Sequence, residues 1–360
     1  MAFDPAAPYD DLPLLPPRAD VESKAVLKQA LRATRALAEL KGAGGLIPDQ
    51  SILINAIPLQ EARLSSEIEN IVTTQDELFR AAGDEDAVTD PQTKEVLRYR
   101  TVLRMGYEKL RQQALSLEMI REICRTLRNE AADFRDEGEQ VVIGNRTTGS
   151  VTYTPPRGGR VLMDKLRNLE TYLLAPDGPD PLIRMAVAHY QFEAIHPFVD
   201  GNGRSGRILN ILYLLHTRLL EIPVLYLSRF IIHNKRHYYQ ALREVTENDA
   251  WEPWVLYMLR GVEETSLWTT NRIHAIRALL SATVEKCRVE LPKVYSKELV
   301  ELIFRQPYCK ITFLVDAGIA KRKTASEYLQ EMERIGILTG EKRGREMVYR
   351  HPALIQVLTA

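Results

Sequence analysis

The chain has 360 residues, 45% hydrophobic and 27% charged, with 48 Lys and Arg balancing 48 Asp and Glu. That length accommodates two or three domains, and the balanced charge excludes a whole-molecule attraction to nucleic acid or to an anionic membrane. The three cysteines, Cys124, Cys287 and Cys309, lie far apart without metal-type spacing, which argues against a disulfide framework or a zinc site. The first residues lack the basic and apolar regions of a signal peptide. The most apolar stretch, 208–227, is interrupted by His216, Arg218, Glu221 and Pro223, so it cannot span a bilayer. A cytoplasmic protein with no membrane partner is expected.

The first twenty residues carry five prolines and four aspartates and read as an extended arm. From Val21, apolar residues at three- and four-residue steps (Val26, Leu27, Ala30, Leu31, Leu37, Leu40) predict a helix that ends at the glycine run 42–45. A second helix is predicted over 61–72, and helical patterning continues through 95–135. Residues 140–158 change texture: Val, Thr, Gly and Asn, with Thr-Thr-Gly between two β-prone runs, predict a hairpin ended by Pro155-Pro156. Helices follow at 160–175, at 181–195 and after Gly206, the last apolar on nearly every side as a central helix would be. The block carries Trp251 and Trp254 and ends near 280. From 285, three short helical patterns and a turn-rich ribbon, 339–352, complete the chain.

Within this frame, "HPFVDGNGRSGR" (196–207) gives up helix formers for backbone freedom and gathers a base, an acid and two cations. Its "GNGRSG" satisfies the dinucleotide fingerprint G-x-G-x-x-G, but that turn needs a buried strand before it, and 183–195 has helical spacing. A P-loop fails for want of Gly-Lys-Ser/Thr. As a loop between helices the stretch makes chemical sense. Gly201 and Gly203 allow positive φ and converging N–H groups, and the following helix start faces the same point. Arg204 and Arg207 bring forked, permanent charge suited to phosphate. Asp200 suits Mg²⁺, and His196 suits proton acceptance near neutrality.

These residues fill every specified position of H-x-F-x-[DE]-G-N-G-R-x-x-R, and the stretch resembles the signature of the Fic proteins, as does the flanking "AHYQFEAI". The resemblance implies a mainly α fold: a Fic-type helical core with a β-hairpin flap (96–280), an N-terminal helical region (1–95) and a C-terminal winged helix-turn-helix (285–360). It also implies transfer of AMP from ATP to a Ser, Thr or Tyr hydroxyl of a target protein, which could be the enzyme itself. Under it, His196 is the general base, Phe198 anchors the loop, and Asp200 holds Mg²⁺. Gly201, Asn202 and Gly203 form the anion hole, with Asn202 near the α-phosphate. Arg204, Ser205, Gly206 and Arg207 complete the nucleotide site, Arg207 toward the γ-phosphate. Residues 141–154 are the flap that takes the target segment by strand addition. Tyr239 contacts the nucleotide, with Tyr238 and Asn234 behind it. His189 and His216 are expected in the core, and His233 and His237 at the surface or pocket edge.

"SSEIEN" (65–70) resembles the family's inhibitory helix, [ST]-x-x-x-E-[GN], with Ser65 and Glu69 in the specified places. A carboxylate paired with Arg207 occupies the charge that would orient the γ-phosphate. The same residues also read as a capping box, Ser66-x-x-Glu69. In the C-terminal domain, 322–335 is the expected recognition helix and 339–350 the wing. Residues 321–350 hold eight Lys/Arg against five Asp/Glu, which leaves DNA and protein both open as partners. Resemblance to longer Fic proteins implies a homodimer. The alternatives are a Fic enzyme that uses another nucleotide or removes AMP, and a DNA-binding regulator with a nucleotide-sensing Fic domain.

Overall fold

The computed structural model describes residues 3–83, 88–130, 133–145, 148–305, 307–343 and 346–359. The fold is mainly α with two small antiparallel sheets. The proline-rich arm, residues 3–20, runs over the surface without helix or strand and tucks Leu12 and Leu15 into the core. Helix α1 (Lys24–Gly44) starts where the Ser23 hydroxyl accepts the Val26 amide and ends in the glycine run. Its apolar stripe packs along α11 (Trp251–Glu290).

Helix α2 (Ser51–Ile68) begins earlier than the predicted 61 and stops short of 72. Pro58 lies inside it, and the helix is held in place by packing against α4 (Pro91–Leu110), α8 (Asn202–His216) and α9 (Leu227–His233). Its end corrects the capping-box alternative. The Ser66 carbonyl accepts the amides of Glu69 and Ile71, and Asn70 turns left-handed at φ 63, so Ser66 and Glu69 close a helix rather than open one. The capping box of this region is Thr74 with Glu77, at the start of α3 (Gln75–Ala81). The helical stretch expected over 95–135 divides into α4 and α5 (Leu117–Arg128).

The hairpin forms from β1 (Ile143–Asn145) and β2 (Ser150–Tyr153), with Gly144 opposite Val151 and an irregularity after Ile143. Arg146 and Thr147 of the expected flap lie outside the described residues. Helices α6 (Arg160–Leu174) and α7 (Pro181–Ile195) fall where predicted; α7 and α8 are buried on almost every side. Helix α10 (Lys235–Asn248) packs on α11. Instead of ending near 280, α11 runs unbroken for 40 residues to Glu290 and carries the helical core into the C-terminal region.

There α12 (Lys297–Arg305), α13 (Ile311–Asp316) and α14 (Arg322–Arg334) surround a sheet of order β3-β5-β4, from β3 (Tyr308–Lys310), β4 (Thr339–Arg343) and β5 (Glu346–Arg350). Helix α14 falls on the segment expected as a recognition helix, and the β4–β5 hairpin on the segment expected as a wing, whose residues 344–345 lie outside the described residues. Strand β3 and helix α15 (Pro352–Thr359) were not foreseen; each is too short for periodicity to show. Among the described residues, no helix is long and apolar enough to cross a membrane.

Candidate active site

Helix α7 ends at Ile195, and His196 takes a left-handed backbone, φ 50 and ψ 61. A residue with a side chain holds that conformation only where its surroundings over-determine it. Here the cause is Arg135, 1% exposed, a residue the sequence reading passed over. Its Nε donates to the His196 carbonyl at 2.9 Å, Nη2 to Ile195 O and Pro156 O at 3.1 and 2.8 Å, and Nη1 to Glu139 O at 3.1 Å. One guanidinium therefore ties the end of α7 to the base of the hairpin. An isolated arginine has no motif spacing, so only a bulky cation beside Phe134 hinted at it.

The loop after His196 is closed by its own residues. Phe198 is buried with its ring 5.2 Å from that of Phe134. The Asn202 side chain accepts from Phe198 N at 2.8 Å and donates to Phe198 O at 2.7 Å, so it fixes the loop. Helix α8 begins at Asn202 rather than near Gly206, which changes the part each glycine plays. Gly201 alone takes positive φ (85) as the residue before the helix. Gly203 is already helical, and its missing side chain is what matters: a Cβ there would stand 2.2 Å from Glu69 Oε1.

Glu69 reaches this point from the end of α2. Its Oε1 accepts from Arg207 Nη2 at 2.9 Å, while Ser65 accepts Arg207 Nε through its hydroxyl (2.8 Å) and Nη2 through its carbonyl (2.9 Å). Burial works to raise the Glu69 carboxyl, but Arg207, helped by Arg204 and His196, holds it below the ordinary range. Burial pushes the His196 imidazole down to about 4, aided by the Arg135 charge, while the Glu193 carbonyl and Glu69 oppose the shift. The ring is therefore neutral at physiological pH, and its Nδ1 is buried without a hydrogen-bond partner.

Other expected site residues face elsewhere. Arg204, 2% exposed, pairs with Glu95 on α4, a partner the sequence reading missed. Ser205 is buried beside Cys124, and Gly206 packs under Phe192 and Glu193, where a Cβ would collide with both. Asp200 accepts from Gly201 N at 2.6 Å and pairs with Arg128, which also reaches Glu130 at 3.1 Å. It lines a separate cavity of about 360 Å³ with Arg128, Glu130, Phe134 and Val199.

The main cavity, about 460 Å³, brings together Glu69, Tyr153, Tyr190, His196, Gly203 and Tyr239. Tyr239 reaches it from α10, but Tyr238 is a core residue, its hydroxyl 2.9 Å from His189 Nε2. Asn234 turns back to Phe230 O. His189 is buried against Trp254, its pKa lowered by burial to about 3, as expected of a core histidine; His216 is only half-buried, a correction. His233 closes α9 and His237 belongs to α10, so the break at Asn234 separates that pair, and among the described residues no three His, Cys, Asp or Glu gather as metal ligands. Glu193, one turn before His196, is the unforeseen member: burial raises it to about 7, and its Oε1 has no partner. Only its i−3 spacing from His196 could have singled it out.

Three family models match this chain: the Fic/DOC family N-terminal region over 27–108, the Fic/DOC family itself over 114–214, and the C-terminal domain of protein adenylyltransferase SoFic-like proteins over 279–354. A helical protein with a glycine-containing loop between two buried helices is thus placed by its sequence as well: the chain belongs to the Fic/DOC family. It is 27% identical over 171 residues to an Aquifex aeolicus protein named a probable protein adenylyltransferase, covering 48% of each chain. It is 32% identical over 124 residues to protein adenylyltransferase fic-1 of Caenorhabditis elegans, covering 34% of this chain and 22% of that one. The chain thus spans half or less of the curated relatives it matches. In fold it is similar to a Fic family protein from Desulfovibrio desulfuricans G20, with a TM-score of 0.58, 19% identity and coverage of 94% and 98% of the two chains. Residues 134–508 of C. elegans Fic-1 superpose with a TM-score of 0.52 at 22% identity, covering 71% and 74%.

Proposed function

We propose that this chain is a protein adenylyltransferase, moving AMP from ATP to a side-chain hydroxyl of a target protein, with Glu69 as its brake. The observation that carries the reading is the Glu69–Arg207 pair at 2.9 Å, with Glu69 lining the same cavity as His196. The target hydroxyl oxygen attacks the α-phosphorus and its proton passes to His196. The bond from the α-phosphorus to the bridging oxygen breaks, and pyrophosphate leaves. A neutral imidazole accepts that proton, and Arg207 with the start of α8 stabilises the phosphate charge. Asp200 is the carboxylate that would hold Mg²⁺. A single hard oxygen donor suits an ion that takes one or two carboxylates and completes its shell from phosphate and water. Arg128, which pairs with Asp200, would have to release it for the ion, whose charge would offset that of the phosphates.

While Glu69 holds Arg207, the guanidinium is not available to orient the γ-phosphate, so the resting protein is weakly active. The test is intact mass of wild type, Glu69→Gly and Glu69→Gly/His196→Ala after incubation with ATP and Mg²⁺. One added AMP in the single variant, absent from the double, is the expected result. If neither these three proteins nor a hydroxyl-bearing protein mixture supplied with them gains labelled AMP, the reading fails.

A further inference from the structure

The N-terminal arm does more than cover the core. Its middle is fastened to α6 and α7: Lys165 Nζ donates to Leu12 O (2.7 Å), Gln191 Nε2 to Pro13 O (2.8 Å), and Asn168 exchanges two hydrogen bonds with the Leu15 backbone. Further toward the N-terminus it joins the hairpin. Tyr9 N donates to Thr154 O at 3.0 Å, and the Thr154 hydroxyl donates to Pro5 O at 2.7 Å. A turn at Asp4–Ala7 then brings Phe3 face to face with Tyr153, 5.9 Å between centroids and 20° between planes. Tyr9 packs edge-on to both rings. Tyr153 is itself fixed, its hydroxyl donating to Ala194 O at 2.8 Å, two residues before His196.

Phe3 is thereby carried into the wall of the main cavity. That cavity has two kinds of lining. Glu69 and His196 are polar, with Gly203 beside Arg207, and Gln240, Arg243 and Thr246 add further polar groups; Phe3, Ile143, Tyr153, Tyr190 and Leu242 are aromatic or apolar. A triphosphate needs the first kind of surface and a nucleobase the second.

We infer that the N-terminal arm is a working wall of the nucleotide site, in which Phe3, held on Tyr153 by Tyr9, packs against the nucleobase and sets base affinity. The inference rests on the nucleotide reading above. It assigns the arm a binding role, separate from the anchoring of Leu12 and Leu15. Phe3 is a specificity residue for the base and takes no part in phosphate chemistry.

The test is calorimetric titration in the Glu69→Gly background, with ATP and with inorganic tripolyphosphate as probes. Phe3→Ala weakens ATP about tenfold, the scale of one lost base–aromatic contact, and leaves tripolyphosphate unchanged. Phe3→Tyr and Phe3→Trp restore ATP affinity, because a flat ring returns. Equal ATP affinity in Phe3→Ala and its parent overturns the inference alone, as does an equal loss for tripolyphosphate, since the arm would then act on the phosphates. Failure of the parent itself to bind ATP removes the inference together with the reading on which it stands.

Discussion

Gly203 and Glu69 share one place: a Cβ on Gly203 would lie 2.2 Å from Glu69 Oε1 and 3.0 Å from Arg207 Nη1. The glycine of the loop and the carboxylate from α2, distant in sequence, are therefore fitted to one another. Gly203→Ala should push Glu69 aside and loosen the end of α2. Hydrogen exchange at the Glu69 and Ile71 amides, both bonded to Ser66 O, reports it. Protection as strong as in wild type would mean that α8 shifts instead.

Glu69→Gln keeps the shape and removes the charge. Arg207, 2% exposed, is left with Ser65, while about a third of the Glu69 side chain (35%) is exposed, so the expected cost is only about 1–2 kcal/mol. Unfolding temperature should fall by a few degrees. ATP should then raise it more in the variant than in wild type, because the nucleotide no longer competes with a carboxylate for the Arg207 guanidinium. An equal ATP effect in both would separate Glu69 from nucleotide binding.

Burial pushes the His196 imidazole far below its ordinary range, down to about 4. A base must be neutral to accept a proton, so activity of Glu69→Gly should stay level from about pH 8 down to about 5, then fall as the ring protonates. The same shift has a stability sign. Between about pH 4 and 6.5 the unfolded ring binds a proton that the folded one does not, so this contribution is complete above 6.5 and is lost as pH falls through 4. A pH–rate profile that bends near 6.5 would contradict the burial argument.

Arg135→Lys retains a charge but cannot serve four carbonyls at once. The loss of buried, charge-assisted hydrogen bonds should cost about 3 kcal/mol and let His196 leave its left-handed backbone. Urea unfolding measures the first effect. For the second, kcat of the Glu69→Gly/Arg135→Lys double variant should drop at least tenfold. A stable, fully active double variant would show that Phe198 and Asn202 hold the loop alone.

Arg128 sits on the carboxylate proposed for Mg²⁺. Arg128→Ala should strengthen divalent binding in the presence of ATP, by several-fold, read as Mn²⁺ affinity by electron paramagnetic resonance. Unchanged affinity would mean that the Arg128 pair opens without measurable resistance.

Much of this molecule is legible in its sequence. The helices 160–174 and 181–195 announce themselves by period, and the hairpin by its β-branched residues and glycine. The stretch from His196 to Arg207 stands out because its proline and glycines are costly in a helix, and its His, Asp and Arg side chains are useful together around phosphate. Less was legible at the ends of elements. Helix α2 outruns its prediction because Pro58 is tolerated inside packed neighbours, and α11 crosses the expected boundary because packing on α1, α12 and α15 favours continuing it.

What the sequence determined by itself is therefore the local chemistry: a base, an acid, a glycine turn and two cations, and a carboxylate able to meet one of them. What only tertiary structure decided is where each points. Arg207 meets Ser65 and Glu69 while Arg204 is drawn to Glu95; Asn202 and Ser205 turn inward; Arg135, Arg128 and Phe3 arrive from segments with no motif at all. The physical reason is that residue type and spacing act within a few turns of chain. The partner of a buried charge or the wall of a cavity is chosen by contacts between distant segments, where each buried polar group must find its complement or stay in water.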